Sequence, residues 1–184
     1  RMGALVNENI IINNSKIIDY ATNGMRTDFL DIFLSSQCSF FVGNPSGLDS
    51  VASIFRTPLL SINVIPLEHA TTYLQNCIFI PKKLWLVDEH RFMKFGEIFE
   101  SGAGRFLHTE MYEEIGVEVI ENTHEEIEDV VLEMEARMEG SWIDEKEYDE
   151  LQRKFWDIFP KSDLQGKFRA RIGTSFLKRH QDLL

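Results

Sequence analysis

Three short, almost unbroken apolar runs constrain this chain more than any other feature: residues 38–43 (CSFFVG), 59–65 (LLSINVI) and 77–81 (CIFIP). A run of this length without polar alternation reads as a strand covered on both faces, as in a parallel sheet. Between the first two runs, Leu48, Val51, Ala52 and Phe55 fall at i, i+3, i+4 and i+7, and Pro58 stops the pattern. A helix is therefore expected to join the two strands. Strand, crossover helix and strand make a βα unit, so the chain is expected to be α/β, with a mostly parallel sheet and flanking helices.

The remaining pattern extends this plan. Residues 27–36 (TDFLDIFLSS) read as a helix capped by Thr27. Phe29, Leu30, Ile32, Phe33 and Leu34 make it apolar almost all round, so deep burial is expected. Residues 16–21 (KIIDYA) read as a short strand, 91–100 as a helix, 101–105 (SGAGR) as a loop and 117–123 as a strand. Gly116 should stop a helix over 109–115. Thr123 and Glu126 form a T-x-x-E capping box, followed by Ile127, Val130, Val131, Met134 and Met138 on one helical face. Tyr148, Leu151, Phe155 and Phe159 mark another amphipathic helix, and residues 173–184 a last one. With no repeat and no low-complexity linker, the expected division is a domain over 1–140, incomplete at its N-terminus, and a helical C-terminal extension over 141–184.

Charge narrows the function classes. A net charge of −11 over 184 residues argues against nucleic acid as the main partner. The charge is uneven: residues 110–150 hold 17 acidic and 2 basic residues, whereas 151–184 hold 3 acidic and 8 basic. The acidic block reads as a solvated face, and the basic tail either as a solvated helix or as a docking element for an acidic surface. No apolar stretch is long enough for a transmembrane segment and no signal peptide is visible, so a cytoplasmic location is expected, with peripheral contact to an inner membrane left open. Cys38 and Cys77 sit in apolar strings without metal spacing and read as buried free thiols. Because the chain begins at Arg1 rather than Met, it is expected to be a fragment, an excised domain or a processed product.

In open parallel sheets ligands bind beyond the carboxyl ends of the strands, which directs attention to the loops after the apolar runs. The corner Gly43-Asn44-Pro45-Ser46-Gly47 follows the first run and precedes a helix. Its glycines let a ligand approach the main chain, the helix N-terminus presents free N–H groups, and Ser46 adds a hydroxyl. Together these suit a phosphate or diphosphate; the plain alternative is a turn in which Ser46 only caps the helix. Three other candidates are weaker. Glu68, after the second run, could hold a hydroxyl or act as a base, or simply begin an exposed helix. Lys82 and Lys83 could neutralise a phosphate or form an ordinary surface pair. Arg26 could reach an anion. Walker, G-x-G-x-x-G, G-x-S-x-G, H-E-x-x-H and D-x-D patterns are all missing, and no histidine reads as a metal ligand, so no metal or cofactor is expected. Trp85, Trp142 and Trp156 read as packing anchors.

Residues 17–67, 79–85 (FIPKKLW), 116–142 and 172–180 (IGTSFLKRH) together resemble a family of bacterial glycosyltransferases associated with surface-polysaccharide gene clusters. The resemblance implies a Rossmann-like domain corresponding to the C-terminal, donor-binding half of the GT-B architecture. A more distant likeness to UDP-N-acetylglucosamine 2-epimerases and heptosyltransferases rests on FFVG, PSG, LDSVASIF and RTPLLSI. It implies that Asn44, Ser46 and Gly47 grip a donor diphosphate, with Arg26, Glu68 and Lys82 as further donor contacts. The epimerase pattern has a second glycine and a ribose-holding glutamate where this chain has Leu48 and Asp49-Ser50-Val51. The implied partners are a nucleotide-sugar, a saccharide or lipid-linked acceptor, and an N-terminal domain of the same protein. Two alternatives remain open: a sugar-nucleotide epimerase relative, and a non-catalytic interaction domain that binds protein through the acidic helix at 123–139 and the basic tail.

Overall fold

The structure is a computed structural model that describes residues 1–3, 6, 8–161 and 167–184. Its centre is a four-stranded, all-parallel sheet in the order β1-β2-β3-β7, built from β1 (Phe41–Gly43), β2 (Leu59–Val64), β3 (Cys77–Pro81) and β7 (Arg171–Ile172). All three apolar runs of the sequence become neighbouring strands. Leu59, Leu60, Phe79 and Ile80 are wholly buried, as strands covered on both faces require. The helix expected between the first two strands is α2 (Gly47–Ile54). This is a parallel α/β sheet with flanking helices, consistent with a Rossmann-like fold.

A second sheet was not foreseen. The chain leaves β3 at Pro81 and passes at once into β4 (Lys83–Leu86), the centre of a small antiparallel sheet with β5 (Arg91–Phe92) and β6 (Val117–Ile120). The segment expected as one helix over 91–100 divides between β5 and α3 (Phe95–Glu100), and the SGAGR loop closes with a 3-10 turn. Then α4 (Thr109–Glu114) ends before Gly116, whose φ of 70° is the left-handed geometry that glycine adopts freely. A reciprocal asparagine pair ties the two sheets together. The Asn63 N–H donates to Asn122 Oδ1 and the Asn122 N–H to Asn63 Oδ1, both at 2.7 Å, while Asn122 Nδ2 donates to the Pro81 carbonyl at 2.8 Å.

Helices α5 (His124–Glu139) and α6 (Lys146–Ile158) cover opposite faces of the sheet. Ile80 meets the same point above Gly173 as Val130 of α5, whereas its neighbour Phe79 stacks edge-on against Phe155 and Trp156 of α6. Successive side chains of a strand point to opposite faces, so the two helices must lie on either side. The capping box at α5 forms as expected: the Thr123 N–H donates to Glu126 Oε2 at 2.8 Å and the Glu126 N–H to Thr123 Oγ1 at 3.3 Å. The C-terminal segment supplies α6 and α7 (Thr174–Arg179) and, in addition, strand β7.

Two expectations fail at the other end of the sheet. Residues 16–21 form irregular chain between two turns rather than a strand. Helix α1 (Asp28–Gln37) is present, with the Leu30 N–H bonded to its Thr27 cap, but it is not deeply buried. Phe29 is 72 % exposed, and Ile32 and Phe33 are each 47 % exposed, while the residues it does bury are Asp31 and Ser35. Helix α1 packs beside α2, and among the described residues no strand lies beyond β1 for its apolar face to rest upon.

Candidate functional site

Strand β1 ends at Gly43, where an added Cβ would lie 2.7 Å from the Phe41 ring, so a side chain at this position would displace that ring. Asn44, Ser46 and Gly47 then stand exposed at the carboxyl end of the strand. Ser46 is the N-cap of α2, and its own N–H donates to Asp49 Oδ1 at 2.5 Å. The Gly47 and Leu48 N–H groups, first in the helix, have no carbonyl of a preceding turn to bond and point out of the N-terminus. An added Cβ on Gly47 would meet nothing within 4 Å, so the glycine leaves open space above the corner. A cleft of about 920 Å³ opens here, lined by Asn44, Ser46 and Leu48 at one end and by Leu30, Leu34 and Phe40 along its wall.

The other proposed donor contacts are held elsewhere. Arg26 Nη2 lies 2.8 Å from Asp31 Oδ2. Glu68 Oε2 accepts from Arg105 Nε at 2.7 Å, its side chain folded over Gly104. Lys82 Nζ lies 3.1 Å from Glu121 Oε1. None of Arg26, Glu68 and Lys82 lines the cleft over the corner, so the structure brings together only Asn44 and Ser46, with Gly47 adjoining.

Lys83 is no surface lysine. It is 6 % exposed and donates to Glu126 Oε1 at 2.6 Å, and His180 Nε2 meets the same oxygen at 2.5 Å. Burial alone would raise the pKa of Glu126, but the bonds from His180, Lys83 and the Thr123 N–H outweigh it and hold the carboxyl at about 2. Two arginines of the basic tail pair with acidic residues of the same chain. Arg179 pairs with Asp129 at 2.6 Å, and Arg171 with Asp144 and Asp149 at 3.4 and 3.5 Å.

Sequence reasoning did not place Asp49 as the partner of the Ser46 N–H, although S-x-x-D before an apolar helix is a variant of the capping-box signal. It also missed the apolar wall of the cleft, for which Leu30 and Leu34, one helical turn apart, were the available sign. Among the described residues no group of three or more His, Cys, Asp or Glu side chains is arranged to hold a metal ion, and no helix is long and apolar enough to cross a membrane. No protein-family model, no curated protein and no solved structure matches this chain.

Proposed function

We propose that this chain supplies the donor-binding half of a nucleotide-sugar-dependent glycosyltransferase of the GT-B type, acting in surface-polysaccharide synthesis. The observation that carries the reading is the cleft at the carboxyl end of β1, where the exposed Asn44-Pro45-Ser46-Gly47 corner and the N-terminus of α2 face open space. In a parallel α/β sheet this is where ligands sit, and helix-terminal N–H groups favour phosphate oxygens. The resemblance supplies the reaction class. On this reading the donor diphosphate lies against the Gly47 and Leu48 N–H groups, which stabilise the departing nucleoside diphosphate as the sugar leaves. The acceptor and the base come from an N-terminal domain of the same protein, in the cytoplasm.

Asp49 shapes this site. Its carboxylate already serves the Ser46 N–H and places a negative charge beside the proposed diphosphate. Asp49→Asn keeps a capping oxygen and removes that charge, so nucleotide binding should tighten severalfold, a like-charge term of at least about 1 kcal/mol because Asp49 is buried.

Calorimetric titration with UDP, GDP, ADP and CMP tests the reading. One of them should bind, Ser46→Ala should weaken binding, and Gly47→Val, which fits the fold, should abolish it. Binding unchanged in both variants would remove the corner from the site. Product analysis of the whole protein then separates transfer from epimerisation: a nucleotide sugar isomerised without an acceptor would favour the epimerase relative.

A further inference from the structure

Of the nine asparagines in the chain, Asn23 is the one followed by glycine. The main-chain nitrogen of the next residue can attack an asparagine side chain and close a cyclic imide, and a side chain on that next residue obstructs the approach. Gly24 carries none. Each of the other eight asparagines precedes a residue with a side chain, and after Asn44 that residue is Pro45, which has no N–H to give.

The fold leaves this step open to the reaction. Asn23 and Gly24 are both exposed, in the bend that precedes α1. Gly24 has a φ of 81°, and an added Cβ there would meet nothing within 4 Å. Among the described residues nothing bonds the Gly24 N–H, so the attacking nitrogen is free. The group under attack is oriented as well. The Asn23 N–H donates to the Asp19 carbonyl at 3.2 Å, and the Met25 N–H donates to Asn23 Oδ1 at 3.0 Å. Attack at Cγ moves negative charge onto Oδ1, where the Met25 N–H is already in place to stabilise it. The amide nitrogen that must leave is held only by Met25 Sδ, a weak acceptor at 3.6 Å.

We propose that Asn23 is a site of spontaneous deamidation, which places a new carboxylate in the lining of the cleft. The Gly24 nitrogen bonds to Asn23 Cγ, the Cγ–Nδ2 bond breaks, and ammonia departs with the proton that Gly24 gives up. Water then opens the imide without any oxidation or reduction. Cleavage between the Gly24 nitrogen and the side-chain carbonyl leaves aspartate; cleavage between that nitrogen and the main-chain carbonyl leaves isoaspartate. Asn23 and Met25 both line the cleft, and Arg1, held by Asp19 at 2.9 Å, is the only ionised side chain among the described residues of that lining. The product therefore adds an unpaired negative charge to it. That this charge weakens nucleotide binding rests on the donor reading above; the modification itself does not.

The test holds the whole chain in mildly alkaline buffer for several weeks, native and unfolded in guanidinium chloride. Each asparagine peptide is followed by mass spectrometry and by enzymatic methylation of isoaspartate. In the native chain, position 23 should convert at least tenfold faster than Asn14, which precedes Ser15, and no more slowly than in the unfolded chain. Gly24→Ala should slow the conversion at least fivefold, and Asn23→Gln should remove the isoaspartate signal at 23 while leaving that at Asn14 unchanged. If Gly24→Ala alters the fold, Asn23→Gln and the comparison with the unfolded chain still decide the matter. A native rate well below the unfolded one, or a rate at 23 no greater than at Asn14, would overturn the proposal. The effect on the cleft is read separately: Asn23→Asp should weaken severalfold the nucleotide that the parent chain binds, and equal affinity would overturn that consequence. Failure of every nucleotide to bind the parent chain would overturn the donor reading and leave the deamidation result standing.

Discussion

The two edges of the central sheet are finished in opposite ways. At β7 the exposed backbone is closed by Gln152, and the strand runs directly into α7 through Gly173, where an added Cβ would lie 2.5 Å from Val130 Cγ1 and 2.7 Å from Ile80 Cγ2. Buried Glu133 then accepts from the Thr174 N–H at 2.7 Å, the Thr174 hydroxyl at 2.8 Å and Arg137 Nε at 3.0 Å. At β1 the outward backbone groups are unbonded among the described residues, the helix above shows Phe29, Ile32 and Phe33 to solvent, and the cleft lies open. A chain that closes one edge with a dedicated side chain can close an edge; at the other, the outward main-chain groups stay unbonded among the described residues. Free strand edges are otherwise a hazard that proteins cover or blunt.

Substitutions at the two edges should separate them by size of effect. Glu133→Ala leaves the buried Thr174 N–H and hydroxyl without their acceptor, while Arg137 keeps Asp144 at 2.9 Å, and should lower unfolding free energy by about 3–4 kcal/mol in urea titrations. Glu126 adds a pH signature. Its folded pKa of about 2 lies below the 4.5 of an unperturbed glutamate, so its stabilising contribution is full above 4.5 and is lost as pH falls towards 2. That contribution is about 3 kcal/mol, and Glu126→Gln should remove this part of the acid slope, a result that matching slopes would contradict. Gln152→Leu strips both bonds from Ile172 and should destabilise by about 1–3 kcal/mol. At the open edge Phe29→Ser should change stability by less than about 1 kcal/mol, because the ring is 72 % exposed and stacks only on Phe33 among the ring contacts of the described residues. A loss as large as that of Gln152→Leu would mean that the two edges do not differ as described.

The central strands were legible because apolar runs bounded by glycine and proline carry their own limits, and α5 because its capping box is a local signal. What escaped was decided by distant partners. The apolar residues of α1 announce a capacity for burial, and Phe29 and Ile32 stay exposed because, among the described residues, no strand lies beyond β1 to cover them. Lys83 looks like half of a surface pair until Glu126, 43 positions away, is folded against it. Strand β7 has two residues and begins with an arginine, too little pattern to show in sequence. The corner at Asn44–Gly47 was visible as punctuation between two periodic segments. The pairings that occupy Arg26, Glu68 and Lys82 were not visible, since the latter two depend on Arg105 and Glu121, 37 and 39 positions away.

The proposal that the corner at Asn44–Gly47 and the N-terminus of α2 carry the donor site is tested most directly by mapping backbone amide shifts across the chain while titrating UDP, GDP, ADP and CMP to millimolar concentration. The account predicts saturable shifts centred on residues 43–48 for one nucleotide, lost in Gly47→Val while the signals of β3 and α5 stay in place. Shifts centred elsewhere, such as on the surface along β6, or none with any of the four nucleotides, would contradict it.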